Sequence, residues 1–364
     1  MDGYALRFDD VAGASEESPV ELKVVADIAA GSASDPGLGA MEAARIMTGA
    51  PVPAAADTVI PQELTDCGTD RVLVHSGLSR GRHIRLAGED REAGDLLAEA
   101  GSALTPEAIA AIASAGIGDV LVFRRPSVAV ISTGDELVDP GRPLERGQIP
   151  DSNGLLVSML AEDAGATVSV DHAGDGPGEL AEAIGRHRGE ANVIVMTGGV
   201  SVGAFDPVKA LFDDGDTVRF DRVAMQPGKP QAFGRLGEGG PWAFGLPGNP
   251  VSAWVSFQMF VRPALRKMQG LSALVPPALP ARAGAEWNTP KGRLQVIPVR
   301  IDDDAGRQVF PAAPGGSGSH LIASLARADG YALVEPGVDR VNPGETVMSV
   351  RLRDPEQFTH QQRS

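Results

Sequence analysis

One stretch limits what this chain can fold into more than any other. Val193-Ile194-Val195-Met196 runs into Thr197-Gly198-Gly199-Val200-Ser201-Val202-Gly203, and Asp206 and Lys209 follow where a helix is due. A short, unbroken apolar run rich in β-branched residues reads as a strand buried on both faces, which points to a parallel sheet covered by helices. Ligands of such sheets collect at the carboxyl ends of the strands. Glycine lets backbone N–H groups come close to an anion, and the next helix adds a favourable dipole. The loop therefore reads as a phosphate cradle. It matches neither Gly-x-x-x-x-Gly-Lys-Ser/Thr nor Gly-x-Gly-x-x-Gly, so the alternative, a strand-to-helix turn needing glycine only for its dihedrals, stays open.

The surroundings repeat the pattern. From Ser127 the chain alternates strand and helix: a strand at Val128–Ile131, a helix capped by Asp151-Ser152-Asn153-Gly154 and running through Leu160, and a strand at Thr167–Val170. A helix from Gly178 to about His187 precedes Val193–Met196, another is expected over Pro207–Phe212, and a long apolar helix runs from Val251 to about Met268, with Pro263 expected to kink or divide it. This order predicts parallel strands with right-handed crossovers. Before it, β-branched pairs and Gly/Pro turns up to Val74 predict a β-rich unit, although Met1-Asp2-Gly3-Tyr4-Ala5-Leu6 reads as a functional turn. Thr105-Pro106-Glu107 opens an Ala-rich helix stopped by Gly116. After the Pro276-Pro277 linker, short strands between Gly/Pro turns predict a small β-barrel. The expected division is 1–88, a β-rich subdomain; 89–122, helical and linking; 123–275, a three-layer α/β domain with a mostly parallel sheet; and 276–364, the barrel.

Composition excludes several functions. A formal net charge of −16 argues against nonspecific nucleic-acid or anionic-membrane binding, which need basic patches. No apolar run approaches the roughly 20 residues that span a bilayer, and no secretory leader is visible. Cys67 is the only cysteine, so no intrachain disulfide can form, which suits a cytoplasmic protein. The histidines fall into no zinc spacing, and no Ser/His/Asp or Cys/His arrangement supports a covalent nucleophile.

Chemistry concentrates in turns. Thr133-Gly134-Asp135-Glu136, Thr197-Gly198-Gly199 and Leu246-Pro247-Gly248-Asn249-Pro250 sit at expected strand ends, and Gln226-Pro227-Gly228-Lys229-Pro230 lies between strands. An acidic protein that holds phosphate needs local cations, and Arg222, Lys229 and Lys209 are the candidates. Asp135, Glu136, Asp175 and Asp206 are carboxylates at or near strand ends. Magnesium takes one or two carboxylates and completes its shell with water and substrate phosphate, so this set fits it, with Asp206 and Asp175 the first choices. Each of them is otherwise a helix cap or a solvated charge.

Together these motifs resemble the molybdopterin molybdenumtransferases (MoeA), related to the C-terminal part of gephyrin. The resemblance is carried by Met1-Asp2-Gly3-Tyr4-Ala5, Met47-Thr48-Gly49-Ala50-Pro51-Val52-Pro53, Gly88-Glu89-Asp90, Ser132-Thr133-Gly134-Asp135-Glu136-Leu137, Asp151-Ser152-Asn153-Gly154, Thr197 to Gly203, Pro227-Gly228-Lys229-Pro230 and Leu246-Pro247-Gly248-Asn249-Pro250, in the family's order. It implies that the α/β domain binds molybdopterin, and that adenylylated molybdopterin and molybdate react with Mg²⁺ to give molybdenum cofactor and AMP. It implies a homodimer whose clefts join the α/β domain of one subunit to the N-terminal unit of the other, with a molybdopterin adenylyltransferase as a possible partner. Asp2, Thr48 and Asp90 would serve the cleft from the second subunit. Glu136, Asp175, Asp206, Arg222, Lys229, Pro247 and Pro250 would lie on the α/β side; Asp2, Thr48, Asp90, Glu136, Asp206 and Lys229 form the catalytic set. Gly134, Asp135, Thr197, Gly198, Gly199, Ser201, Gly203, Arg222, Gly228, Pro247, Gly248, Asn249 and Pro250 would bind the pterin nucleotide, and Asp206, Asp175 and Glu136 the metal. The family carries a helical segment before Met-Asp-Gly-Tyr that this sequence lacks; the expectation is a misassigned start. Gln226 stands where some members have lysine. The competing readings are an adenylyltransferase that activates molybdopterin and a gephyrin-like scaffold.

Overall fold

Alternation of β-branched residues with Gly/Pro turns, continuous apolar strands, and strands of mixed pattern produce three large sheets and two two-stranded ones among the described residues. The computed structural model describes residues 1–176, 178–199, 218–313 and 318–353. By contacts it divides into two units, 1–96 and 97–364. Among the described residues no helix is long and apolar enough to cross a membrane.

The first unit is built on a five-stranded sheet of β1 (Gly3–Leu6), β2 (Val20–Ile28), β3 (Glu42–Ile46), β4 (Thr58–Pro61) and β5 (Arg71–Val74), in the order β4-β1-β3-β2-β5. The opening residues, expected to form a turn, instead make a buried strand antiparallel to both β3 and β4. Its pattern is too short and too uniformly buried to show a period. A side chain on Gly3 would run into the Ile60 carbonyl of β4, so the pairing needs glycine there. A one-turn helix, α1 (Phe8–Val11), follows, and Tyr4, Leu6, Leu22, Ile60 and Val72 share a core.

The second unit opens with α2 (Pro106–Ser114), whose Thr105 hydroxyl accepts the Ala108 N–H at 3.2 Å, the cap its sequence called for. The central sheet comprises β6 (Ser127–Thr133), β9 (Thr167–Ala173), β10 (Val193–Thr197), β11 (Val218–Arg222), β13 (Pro230–Arg235) and β14 (Trp242–Leu246); β7 (Leu137–Val138) pairs with β8 (Ile149–Pro150) beside it. Its order is β11-β13-β14-β10-β6-β9, parallel from β14 to β9 and antiparallel at β13 and β11. Helix α3 (Ser152–Asp163), α5 (Pro250–Ser256) and α6 (Arg262–Met268) cover one face, and α4 (Glu179–His187) covers the other. Alternate residues of one strand divide between the layers. Val128, Val130, Val193 and Val195 meet α3, α5 and α6, while Ala129, Ile131, Ile194 and Met196 meet α4. Each buried aliphatic side chain contributes about 1.5–3 kcal/mol, which is why β6 is apolar from Val128 to Ile131 and β10 from Val193 to Met196. Between α5 and α6 the turns widen into a π segment, Phe257–Val261, and Pro263 falls at the start of α6, so the long helix is interrupted rather than broken.

The C-terminal region forms a closed five-stranded barrel of β15 (Ala278–Ala283), β17 (Leu294–Asp302), β18 (Gln308–Pro311), β19 (Gly330–Val334) and β21 (Thr346–Arg351). β16 (Trp287–Asn288) pairs with β20 (Arg340–Val341), and α7 (Ile322–Leu325) bridges two strands. The barrel shares a core with the α/β domain: Trp254 and Val255 of α5 pack with Met225, Val296, Tyr331 and Val350. The segment β12 (Met225–Gln226), at the tip of the β11–β13 hairpin, pairs in parallel with β17.

Candidate functional site

The strand directions decide what meets at the sheet edge. β14, β10, β6 and β9 all end on one side, delivering Pro247–Pro250, Thr197–Gly199, Thr133–Glu136 and Ala173–Asp175 there. Because β13 opposes β14 and β11 opposes β13, β13 begins and β11 ends on that same side, bringing Lys229 and Arg222 to it. At about 4.8 Å per strand, the row from β11 to β9 spans about 24 Å. Cations stand at one end, carboxylates at the other, with glycine turns between.

In the middle of the row the turns touch. The Gly198 N–H donates to the Leu246 carbonyl at 3.1 Å, and the Thr133 hydroxyl donates to the Thr197 carbonyl at 3.2 Å. Gly198 has φ +91°, and a Cβ there would stand 2.8 Å from Thr133 Oγ1. A Cβ on Gly248 would lie 3.6 Å from Gly198 Cα, so these two turns are neighbours. Asp151 caps α3 through the Gly154 N–H at 2.8 Å, and the Asn153 amide N–H donates to the Gly248 carbonyl at 2.6 Å. Three polar atoms here are buried without a partner among the described residues: Ser132 Oγ, Thr197 Oγ1 and Asn153 Oδ1.

The acidic end is organised by backbone N–H groups. The Asp175 N–H donates to Asp135 Oδ1 at 2.9 Å, the Asp135 N–H points to Asp175 Oδ2 at 3.5 Å, and the Gly174 N–H donates to Glu179 Oε2 at 2.9 Å. A Cβ on Gly174 would fall 2.5 Å from Asp135 Oδ1 and 2.6 Å from Glu179 Oε2, so these two carboxylates converge on one glycine. The Glu136 carboxylate lies over Gly134, and the His172 ring N–H donates to the Gly134 carbonyl at 2.9 Å. Glu179 and His172 escaped the sequence reading. Glu179 looks like any first-turn acid, and His172 sits on a strand whose end the sequence placed at Val170. Among the described residues no group of three His, Cys, Asp or Glu side chains could hold a metal alone. The exposed Asp135 and Asp175 carboxylates, each with an oxygen left over from these hydrogen bonds, form a donor set for a hard cation that keeps water and phosphate in its shell.

At the basic end, Arg222 and Lys229 are exposed, and neither enters an ion pair among the described residues. The turn between them is held firmly. The Val223 N–H donates to the Lys229 carbonyl at 2.8 Å. The buried Gln231 amide donates to the Gly228 carbonyl at 2.7 Å and to Ser256 Oγ at 2.6 Å. Gln226 accepts from the Arg293 guanidinium at 3.0 Å, so the barrel also fixes this turn.

In the first unit Asp2 and Thr48 meet. Asp2 Oδ1 accepts the Thr48 backbone N–H at 2.7 Å and its hydroxyl at 2.9 Å, and these bonds hold the carboxyl below its usual range. Asp90 lies on an exposed bend and makes no hydrogen bond or ion pair with either of them. Asp57, in the same Pro-rich loop, accepts the Phe8 N–H at 2.6 Å and pairs with Arg80. Ser201, Gly203, Asp206 and Lys209, together with the helix expected over 207–212, lie outside the described residues.

Comparison with known proteins gives three adjoining family matches: the MoeA N-terminal region (domain I and II) over residues 1–116, a probable molybdopterin binding domain over 129–267, and the MoeA C-terminal region (domain IV) over 280–351. Molybdopterin molybdenumtransferase 2 of Mycobacterium tuberculosis is 40% identical over 351 residues, covering 94% of this chain and 85% of that protein. The Haemophilus influenzae molybdopterin molybdenumtransferase is 36% identical over 350 residues, covering 95% and 85%. A crystal structure of a molybdopterin biosynthesis MoeA protein from Pyrococcus horikoshii superposes with a TM-score of 0.79 at 33% identity, covering 97% of this chain and 87% of that one.

Proposed function

The chain belongs to the molybdopterin molybdenumtransferase family, and from that premise we propose that it inserts molybdenum into molybdopterin, taking the pterin in adenylylated form and releasing AMP. One observation carries the finer reading: a single sheet edge runs from two cations that enter no ion pair among the described residues, across touching glycine turns, to converging carboxylates. A nucleotide-linked pterin phosphate needs those three environments in a row.

In this reading Arg222 and Lys229 neutralise phosphate or molybdate oxygens, and the backbone at Gly198, Gly199, Gly228 and Gly248 lets the ligand approach closely. Asp135 and Asp175 would hold magnesium, with Glu136 over Gly134 meeting its water shell, while Asp206, the other carboxylate put forward by the sequence, lies outside the described residues. When bound, the ion offsets charge on the phosphoanhydride and its leaving group. Hydrolysis of that bond consumes one water, frees AMP and leaves the pterin its phosphate; molybdate is the second substrate. The protein contributes positioning and charge neutralisation, since no side-chain nucleophile is needed. Thr197, Asn249, Pro247 and Pro250 shape the pterin wall; Ser201 and Gly203, the further candidates from the sequence, lie outside the described residues. The reading extends to a homodimer in which Asp2, Thr48 and Asp90 serve the second subunit's site, and to a cytoplasmic setting.

The experiment is incubation of purified protein with adenylylated molybdopterin, molybdate and Mg²⁺, following AMP and molybdenum cofactor. Stoichiometric appearance of both is expected. AMP transfer from MgATP to free molybdopterin would favour an adenylyltransferase instead, and turnover of neither substrate would favour a scaffold.

A further inference from the structure

Both peptide groups that flank Lys229 are held in place. After it, the Lys229 carbonyl accepts from the Val223 N–H at 2.8 Å; before it, the Gly228 carbonyl accepts from the Gln231 side-chain amide at 2.7 Å. The same amide nitrogen donates to the hydroxyl of Ser256, the last residue of α5, at 2.6 Å. Gln231 is 8% and Ser256 0% exposed, whereas Lys229 itself is exposed. Pro230 follows, and a residue before proline is confined to extended conformations, so the Lys229 backbone has little freedom left.

Burying an amide here costs desolvation that an apolar side chain of the same size would avoid. The surroundings are apolar, since Ser256 closes the stretch of α5 whose Trp254 and Val255 pack with Met225. What an amide adds is direction. Its nitrogen has two N–H groups and makes two bonds, so its plane fixes the Gly228–Lys229 peptide against α5. Gly228 is shaped for the same contact: it is buried at φ +97°, and a Cβ there would stand 2.5 Å from Met225 Cε and 2.9 Å from Ser256 Oγ. The helix widens into its π segment at the next residue, Phe257, and such turns are frequent at functional sites. Because α5 starts at Pro250, in the turn that ends β14, one helix references Lys229 to the middle of the sheet edge.

We propose that Gln231 and Ser256 are positioning residues for Lys229: by fixing the Gly228–Lys229 peptide they hold the ammonium over the sheet edge, and so set how tightly an oxyanion binds there without touching it themselves. This rests on the reading of Lys229 as an oxyanion contact. The ammonium rides on a flexible four-carbon stem, and a base fixed on both sides removes backbone freedom that would otherwise be lost on binding. With the Gln231 bonds gone, that loss moves to the binding step and weakens affinity.

The test is a double-mutant cycle in the full-length protein, with inorganic pyrophosphate and molybdate as probes and calorimetry as the readout. Lys229→Met should weaken binding of one or both oxyanions about tenfold, and Gln231→Met should weaken the same oxyanion about fivefold. In the Lys229→Met background Gln231→Met should cause no further loss, because it acts only through the ammonium. Its shift in melting temperature should be the same in both backgrounds, which separates its effect on the fold from its effect on binding. Ser256→Ala is the milder variant, since the bond from Gln231 to Gly228 survives, and it should weaken binding about twofold to threefold. If Gln231→Met fails to fold, Ser256→Ala takes its place in the cycle. Equal losses in both backgrounds, or full affinity in both the Gln231 and Ser256 variants while Lys229→Met binds weakly, overturns the positioning role and leaves Lys229 as the anion contact. Full affinity of Lys229→Met for both oxyanions would instead strike the reading of Lys229 in the proposed function, and the positioning role with it.

Discussion

Replacing Gly198 by alanine tests whether the β6–β10 approach constrains the site. Gly198 sits at φ +91°, a conformation that costs an ordinary residue about 1–2 kcal/mol. Its new methyl would also stand 2.8 Å from Thr133 Oγ1 and 2.9 Å from the Thr133 carbonyl oxygen. That carbonyl belongs to strand backbone and cannot swing aside, so relief requires moving β6 or the turn, at about 1–3 kcal/mol for such overpacking. The sum is about 2–5 kcal/mol. Gly141 supplies the control: it shares φ +91° but has no atom within 4 Å of an added Cβ, so Gly141→Ala carries only the first cost. For a unit of this size each kcal/mol lowers the melting temperature by about 2–4 °C. Gly198→Ala should therefore melt about 4–20 °C below wild type and Gly141→Ala about 2–8 °C below, read by calorimetry in one buffer. AMP release should fall at least tenfold in the first variant and stay near wild type in the second, since only the first displaces the turn. If Gly198→Ala melts no lower than Gly141→Ala and turns over normally, the close approach is not a constraint and the site cannot depend on it.

Other perturbations probe the two ends of the row and the supports behind it. Lys229→Met should raise KM for adenylylated molybdopterin about tenfold and flatten its dependence on salt, measured between low and physiological ionic strength. Asp135→Asn combined with Asp175→Asn should shift the Mg²⁺ concentration for half-maximal AMP release upward at least fivefold while leaving the melting temperature of the metal-free protein within about 2 °C of wild type. Asp171, on β9, is pushed up by burial, but the His172 N–H, Arg186 and His187 outweigh this and hold its carboxyl below the ordinary 3.8. A depressed folded-state pKa means the stabilisation is complete above the unfolded value and disappears as pH falls through the folded one. Asp171→Asn should thus cost about 1–2 kcal/mol at pH 7, with its melting-temperature gap to wild type closing below about pH 4. Thr48→Ala removes one of two bonds to the Asp2 carboxylate, so NMR titration should show the Asp2 pKa rising toward its ordinary value.

Much of this site could be read from residues alone because it depends on local rules. The strand at Val193–Thr197, the caps at Thr105 and Asp151, and the glycine turns at 134, 198 and 248 follow from short-range patterns, and the fold class followed from their order. What escaped depended on partners distant in sequence. Met1–Leu6 becomes a strand only because β3 and β4 flank it, and Gly3 is required by a carbonyl 57 positions away. The turn at Gln226–Pro230 appeared to lie between strands. Its arrival at the carboxyl edge depends on two antiparallel pairings that no periodicity reveals. Glu179 and His172 act through backbone groups of neighbouring turns, and composition carries no trace of that.

The tip of the β11–β13 hairpin is lent to the barrel, where Met225 and Gln226 pair with Leu294 and Gln295, and Arg293 reaches Gln226 from 67 positions downstream. The turn bearing Lys229 is therefore among the last parts of the α/β domain to be completed as the chain emerges from the ribosome. A chain ending at Pro276-Pro277 would keep its six-stranded sheet, yet it would uncover Trp254 and Val255 and release the hairpin tip. The barrel thus acts as a gauge that sets how far one cation projects over the sheet edge, and substitutions within the barrel that leave every glycine turn intact should still change affinity for anions.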